Sequence, residues 1–199
     1  MNRRQWLTML AAAAAVWQWP RRLHAQGNAY TRAVEAAFND FGGTKSSKGR
    51  IAPATEPGTP LVIRGTLFNA DGQTPMGGAL VFAYHTDRKG LYNEARAPQS
   101  WRLKGAVRTA ADGTFEFQTI RPASYPETRI PQHVHVELQT ADGRFHAGEW
   151  RFADDPLVDA QERAESQSAG RFGWICPVRA NGAVSEVDVL VRVNPAQQF

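Results

Sequence analysis

The chain has 199 residues, enough for one domain with a substantial core, and its ordinary polar content gives no sign of disorder or of a membrane protein. Residues 1–25 carry four arginines and no acid, so removing them from 23 basic and 19 acidic residues leaves 19 of each, a formal net charge of zero. The high isoelectric point then belongs to the leading segment, and no basic footprint points to nucleic acid as a partner.

Residues 1–25 read as an export signal. Arg3-Arg4 precedes Trp6-Leu7, an apolar run covers residues 9–16, and Leu23-His24-Ala25 offers small residues for a peptidase. The run is too short for a permanent membrane span. Its paired arginines suggest the twin-arginine route, which carries folded proteins that often hold a cofactor. The expected location is periplasmic or secreted. Cys176 is the single cysteine, so the chain has no internal disulfide and must be held by its core.

Residues 26–60 read as an N-terminal helix and a linker. Ala33-Val34-Glu35-Ala36-Ala37-Phe38 has a short helical pattern, and residues 44–60 are rich in Gly, Pro, Ser and Thr. Residues 61–199 read as the main domain. Strand patterns occur at residues 61–68, 79–84, 101–108, 114–117, 133–138, 145–152 and 187–193, with Asp-Gly turns at 71–72, 112–113 and 142–143. Residues 156–173 are polar and read as helix or loop lying over one end. The pattern predicts an all-β, antiparallel β-sandwich with a short N-terminal helix and long loops. The helix could serve a homo-oligomer.

His133-Val134-His135 is the most informative segment. Residues two apart on a strand share a face, so both imidazoles project together while Val134 and Val136 face the core. Such a pair can hold a metal ion or can be two solvated histidines. Tyr125 lies between Pro122 and Pro126, and Tyr92 follows Gly90-Leu91; each alone reads as a packing tyrosine on a loop. Together the four offer phenolate oxygen and imidazole nitrogen. Phenolate is a hard anionic donor that suits Fe(III) better than Zn(II) or Cu(I). Two phenolates and two neutral imidazoles would leave such a site near +1, open to an anionic bidentate catecholate.

The stretch from Leu61 to Leu138 resembles the catalytic core of the intradiol ring-cleavage dioxygenases. Gly65-Thr66-Leu67 with Pro75-Met76-Gly77-Gly78 is similar to the family's opening hairpin. Asp87-Arg88-Lys89-Gly90-Leu91-Tyr92-Asn93 and Arg121-Pro122-Ala123-Ser124-Tyr125-Pro126 resemble the two tyrosine segments, and Pro131-Gln132-His133-Val134-His135 the histidine pair. Leu103-Lys104-Gly105, Ala111-Asp112-Gly113 and Phe152-Ala153-Asp154-Asp155-Pro156-Leu157 match in order. The resemblance implies Fe(III) held by Tyr92, Tyr125, His133 and His135. It implies a catechol and O2 as substrates, and a muconate-type diacid as product. Tyr125 would leave the metal as the substrate binds and help to take its protons. The family places an arginine where this chain has Ile130; Arg129, one residue earlier, reads either as its candidate substitute through a shifted loop or as a surface residue. It places a glutamine on the following strand, where the nearest counterpart is Glu149. Neither departure touches the four ligands. His85 and His146 have no matching role and read as surface residues, and Trp101 and Trp150 read as core. The alternative from another class is an envelope binding module of sandwich fold, metal-free or with a metal held by the two histidines alone.

Overall fold

The computed structural model describes residues 19–95 and 100–199; most of the expected export signal, residues 1–18, lies outside them. The order of elements is α1 (Trp19–Phe41), β1 (Lys48–Arg50), β2 (Pro60–Phe68), β3 (Leu80–His85), β4 (Leu103–Arg108), β5 (Thr114–Ile120), β6 (His133–Gln139), β7 (Arg144–Phe152), α2 (Ala160–Ser168), β8 (Ile175–Cys176), β9 (Val178–Asn181) and β10 (Val184–Arg192). No helix among the described residues is long and apolar enough to cross a membrane.

Two five-stranded sheets face each other, one ordered β1-β5-β2-β10-β9 and the other β4-β3-β6-β7-β8. This is the expected all-β sandwich. Alternation drives it: Leu61, Ile63 and Leu67 of β2, Phe115 and Phe117 of β5, and Val187, Val189 and Val191 of β10 all enter the core between the sheets. Each full burial of such a side chain contributes roughly 1.5–3 kcal/mol. Val134, Val136 and Leu138 of β6 enter the same core from the other side.

Three features depart from the expectation. The pairings are not all antiparallel, since β1 with β5, β10 with β2 and β7 with β8 run parallel. Residues 44–60 are not only linker, because Lys48–Arg50 forms an edge strand through its backbone. The helix is also longer than the pattern at residues 33–38, spanning 23 residues. Val34, Ala37 and Phe38 form its buried stripe at the spacing of one helix face. That stripe packs on the outer face of the second sheet, against Leu80, Phe82 and Tyr84 of β3 and against Trp101. Strand β3 is therefore buried on both faces, which is why its sequence is continuously apolar rather than alternating.

A candidate metal centre on the outer face of the second sheet

His133, His135 and Glu137 of β6 alternate onto the outer face of this sheet, opposite the valines. At one end of that face α1 covers Glu137. Both oxygens of its buried carboxylate are taken, one by the Tyr30 hydroxyl and one by His146 Nδ1 at 2.8 Å. At the other end the histidines meet two loops. Residues 86–102, after β3, bring Tyr92, and residues 121–132, after β5, bring Tyr125.

The loops are stitched together before they reach the histidines. Thr86 Oγ1 donates to the Ala123 carbonyl at 2.6 Å, and the Ala123 amide donates to the Asp87 carbonyl at 3.1 Å. Arg102 grips Glu56 through two bonds of 2.6 and 2.8 Å and reaches Asp87 at 3.3 Å. On the second loop Arg121 grips Asp154 at 2.7 and 2.6 Å and donates to Gln132 Oε1 at 2.6 Å, beside His133. Glu127, between Tyr125 and His133, is the one non-glycine residue with a positive φ, 63°, among the described residues.

Four donor atoms converge. The Tyr92 and Tyr125 hydroxyls are in hydrogen-bond contact. Tyr92 Oη lies 2.7 Å from His135 Nε2, and Tyr125 Oη lies 2.9 Å from His133 Nε2 and 3.3 Å from His135 Nε2. The two Nε2 atoms are 3.1 Å apart. The Pro131 carbonyl, 2.7 Å from His133 Nδ1, can only accept, so Nδ1 carries the proton and Nε2 presents a lone pair. His135 Nδ1 faces Glu149 Oε1 at 3.4 Å, which favours the same tautomer. The His135 ring is stacked on Tyr84, with centroids 4.6 Å apart and planes 10° from parallel. Tyr84 donates to the Tyr30 hydroxyl at 2.9 Å, so α1 braces the His135 ring through Tyr84.

Burial favours the neutral forms of Tyr92, Tyr125 and His135. Burial, and next its Tyr125 neighbour, push the Tyr92 phenol well above the usual range, and burial also raises Tyr125. Burial pulls His135 down to about 4 against the opposing pull of Glu149. Burial opposes the charge on Glu149, but its imidazole neighbours and Arg151 outweigh it and hold the carboxyl below its usual range. With His135 neutral at pH 7, Arg151 is the partner that keeps Glu149 ionised; its Nη2 donates to Glu149 Oε2 at 2.9 Å. Another Arg151 nitrogen pairs with Glu162 of α2, tying that helix to the site.

His133, His135 and Glu149 also form a three-donor grouping with atoms within 4.8 Å. Glu149, however, approaches His135 through Nδ1, whereas the histidines approach each other through Nε2. It is thus set to orient a ligand rather than to be one. Arg129 is exposed on the rim of the adjoining cavity and makes no ion pair among the described residues. Two expectations fail. His85 is not a surface residue but fully buried, its ring nitrogens bound at 2.6 Å to the Thr86 carbonyl and to Thr119 Oγ1. His146 is not simply solvated, since it holds Glu137 and stacks on Phe199 at 4.2 Å. Trp101 and Trp150 are buried, as expected, and Cys176 is buried too.

Two phenols and two imidazoles gathered on one face of a β-sandwich define the class: a candidate mononuclear metalloprotein with a mixed oxygen and nitrogen donor set. Comparison with known proteins narrows it. Residues 35–172 match the profile of the family described as Dioxygenase. The catechol 1,2-dioxygenases 1 and 2 of Acinetobacter lwoffii are 34% identical over 131 residues, 56% of this chain, and 27% identical over 155 residues, 63% of it. The chain belongs to the intradiol ring-cleavage dioxygenase family. It spans about half the length of those two relatives, 42% and 56%. Its fold is similar to the dioxygenase domain of a dioxygenase carbohydrate-binding protein fusion from Streptomyces sp. SirexAA-E. That likeness has a TM-score of 0.57 and 24% identity, and it covers 76% of this chain and 89% of that one.

Proposed function

We propose that the protein is an Fe(III)-dependent intradiol dioxygenase that opens catecholic rings with O2 to muconate-type diacids. The observation that carries this reading is the convergence of Tyr92, Tyr125, His133 and His135. Ligand bonds of about 2 Å put donors roughly 2.8 Å apart at a right angle and roughly 3.3 Å apart at the tetrahedral angle. The separations of 2.7, 2.9, 3.1 and 3.3 Å lie within about 0.1 Å of that range. Two imidazole lone pairs at 3.1 Å repel unless a proton or cation lies between them. A pair of phenol oxygens makes a hard trivalent ion the best match.

Ferric iron, when bound, supplies a Lewis acid that holds the catecholate and draws electron density from its ring. The remaining roles belong to the chain. Tyr92 is the more buried phenol, braced by its loop, and stays as a fixed ligand. Tyr125 borders the cavity and is suited to leave and take a substrate proton at Oη. Tyr84 and Glu149 fix the plane and tautomer of His135. Arg151 pairs with Glu149 and offsets part of its charge, which limits how far this carboxylate opposes negative charge growing on the ring. Arg129, unpaired at the rim, is the candidate to meet that charge in place of the family's arginine. The leading arginine pair and apolar run support export, to be checked by cell fractionation and sequencing of the mature N-terminus.

The test is the visible spectrum of the iron-loaded chain before and after catechol, with O2 uptake. A broad tyrosinate-to-iron band that shifts with catechol, followed by O2 consumption and a muconate product, is expected. A colourless protein with stoichiometric zinc or copper, or none, would overturn the assignment and favour a binding module.

A further inference from the structure

Beside the donor cluster lies a cavity of about 500 Å³, with Tyr125 and His133 on its inner wall. A ring held at the donors would project its substituents into this space. One aromatic ring fills only part of such a volume, so the substituent meets the far wall. That wall has two characters. Ile130, Pro131 and Leu157 offer apolar surface to a ring, while α2 and its cap bring Asp159, Gln161, Glu162 and Glu165.

The charges do not balance. Four carboxylates, Glu149, Asp159, Glu162 and Glu165, face two guanidiniums, Arg129 and Arg151. Arg151 is engaged by both Glu149 and Glu162, which leaves that trio net negative. Asp159 accepts from the Glu162 amide at 2.8 Å and caps α2. Glu165 has no cationic partner among the described residues: its side chain accepts from the neutral Gln161 amide at 2.9 Å, and unlike Asp159 it does not sit on the positive N-terminus of α2. Its charge is therefore unspent and faces the cavity. Arg129 is the only unpaired cation among the described lining residues, and it sits exposed in solvent.

We infer, resting on the function proposed above, that this cavity sorts catechols by the charge of the ring substituent. It takes neutral or ammonium-bearing side chains and disfavours ring carboxylates, with Glu165 as a specificity-determining residue. Reversing one charge roughly 8–10 Å from another in a half-solvated setting changes affinity by about tenfold.

The experiment uses the iron-loaded chain and three catechols: 4-methylcatechol, 3,4-dihydroxybenzoate and 2-(3,4-dihydroxyphenyl)ethylamine. Dissociation constants come from the catechol-induced shift of the visible band under nitrogen, which separates binding from ring reactivity. The ammonium compound is expected to bind about tenfold more tightly than the carboxylate. That ratio is expected to shrink in Glu165→Gln and to approach one or invert in Glu165→Lys, whose exposed position tolerates either residue. A carboxylate that binds as tightly as the ammonium compound overturns the inference. If its preference then vanishes in Arg129→Gln, the cavity is organised for acids around Arg129. A ratio unmoved in both Glu165 variants removes Glu165 from the role. A band that responds to none of the three overturns the dioxygenase reading itself, which the other outcomes leave standing.

Discussion

Gly90→Ala should damage the candidate metal centre more than it damages the fold. Gly90 has φ +77°, and an added Cβ would lie 2.0 Å from the Ser124 carbonyl oxygen and 3.0 Å from Pro126 Cδ. Normal contact needs roughly another 1 Å, so the loop bearing Tyr92 must move away from the loop bearing Tyr125. Left-handed backbone costs an alanine about 1–2 kcal/mol and overpacking about 1–3, so stability should fall by roughly 2–5 kcal/mol. The same displacement separates the two phenol oxygens, now in hydrogen-bond contact, and should weaken ferric iron by 10-fold or more. Gly182→Ala is the control. Its φ is +62°, nothing lies within 4 Å of the added Cβ, and it sits in the turn between β9 and β10. It should cost about 1 kcal/mol and leave iron affinity unchanged. Urea unfolding gives the stability and a chelator competition, followed by the visible band, gives the affinity. A Gly90→Ala protein with wild-type iron affinity and an unshifted band would refute the argument that loop approach sets the donor geometry.

Three further outcomes are expected. Glu149→Leu removes the acceptor facing His135 Nδ1 at 3.4 Å and should weaken iron binding about 10–100-fold, read by the same chelator competition. Burial pulls His85 down to about 4 from 6.5, so between those values the unfolded chain holds the extra proton and stability rises with pH. That contribution, roughly 3 kcal/mol, is complete above about 6.5 and lost as the pH falls to about 4. Urea midpoints from pH 7 to 4 should therefore slope less in His85→Gln than in the parent, the comparison cancelling the parallel slope from His135. Burial pushes the Cys176 thiol up to about 12, so it should resist thiol reagents at pH 8 in the native protein and react once denaturant is added.

How much was legible beforehand differs by element. The alternation in residues 61–68 and 114–117 could be read because each strand there buries one face only, and in 133–138 because apolar side chains on the core face alternate with polar ones on the outer face, though both faces are largely buried. Lys48-Gly49-Arg50 carried no such signal, since β1 is an edge strand joined by backbone bonds with mostly exposed side chains. Helix α1 was read short because residues 19–25 were assigned to the export signal and only residues 33–38 carried a helical pattern. Parallel pairing of β10 with β2 could not be read either, because parallel and antiparallel partners present the same alternation.

The site divides in the same way. The chain alone put His133 and His135 on one face, because two-residue spacing on a strand is local geometry. The tyrosines, Glu149 and Arg129 were named through resemblance, not through distance. Glu137 fell on the same face at the next alternate position, a signal that went unread, and only α1 folding over it shows why a buried carboxylate is tolerated there. His85 was misjudged because it ends an apolar strand and is followed by the polar Thr86-Asp87-Arg88-Lys89, while the groups that bury and bond it include Thr119, 34 residues away. Local periodicity is written in the chain and survives any fold that keeps the strand. Convergence of Tyr92 and Tyr125 on the histidines, and the sign of charge around the cavity, depend on where loops and α2 come to rest, and long-range packing alone decides that.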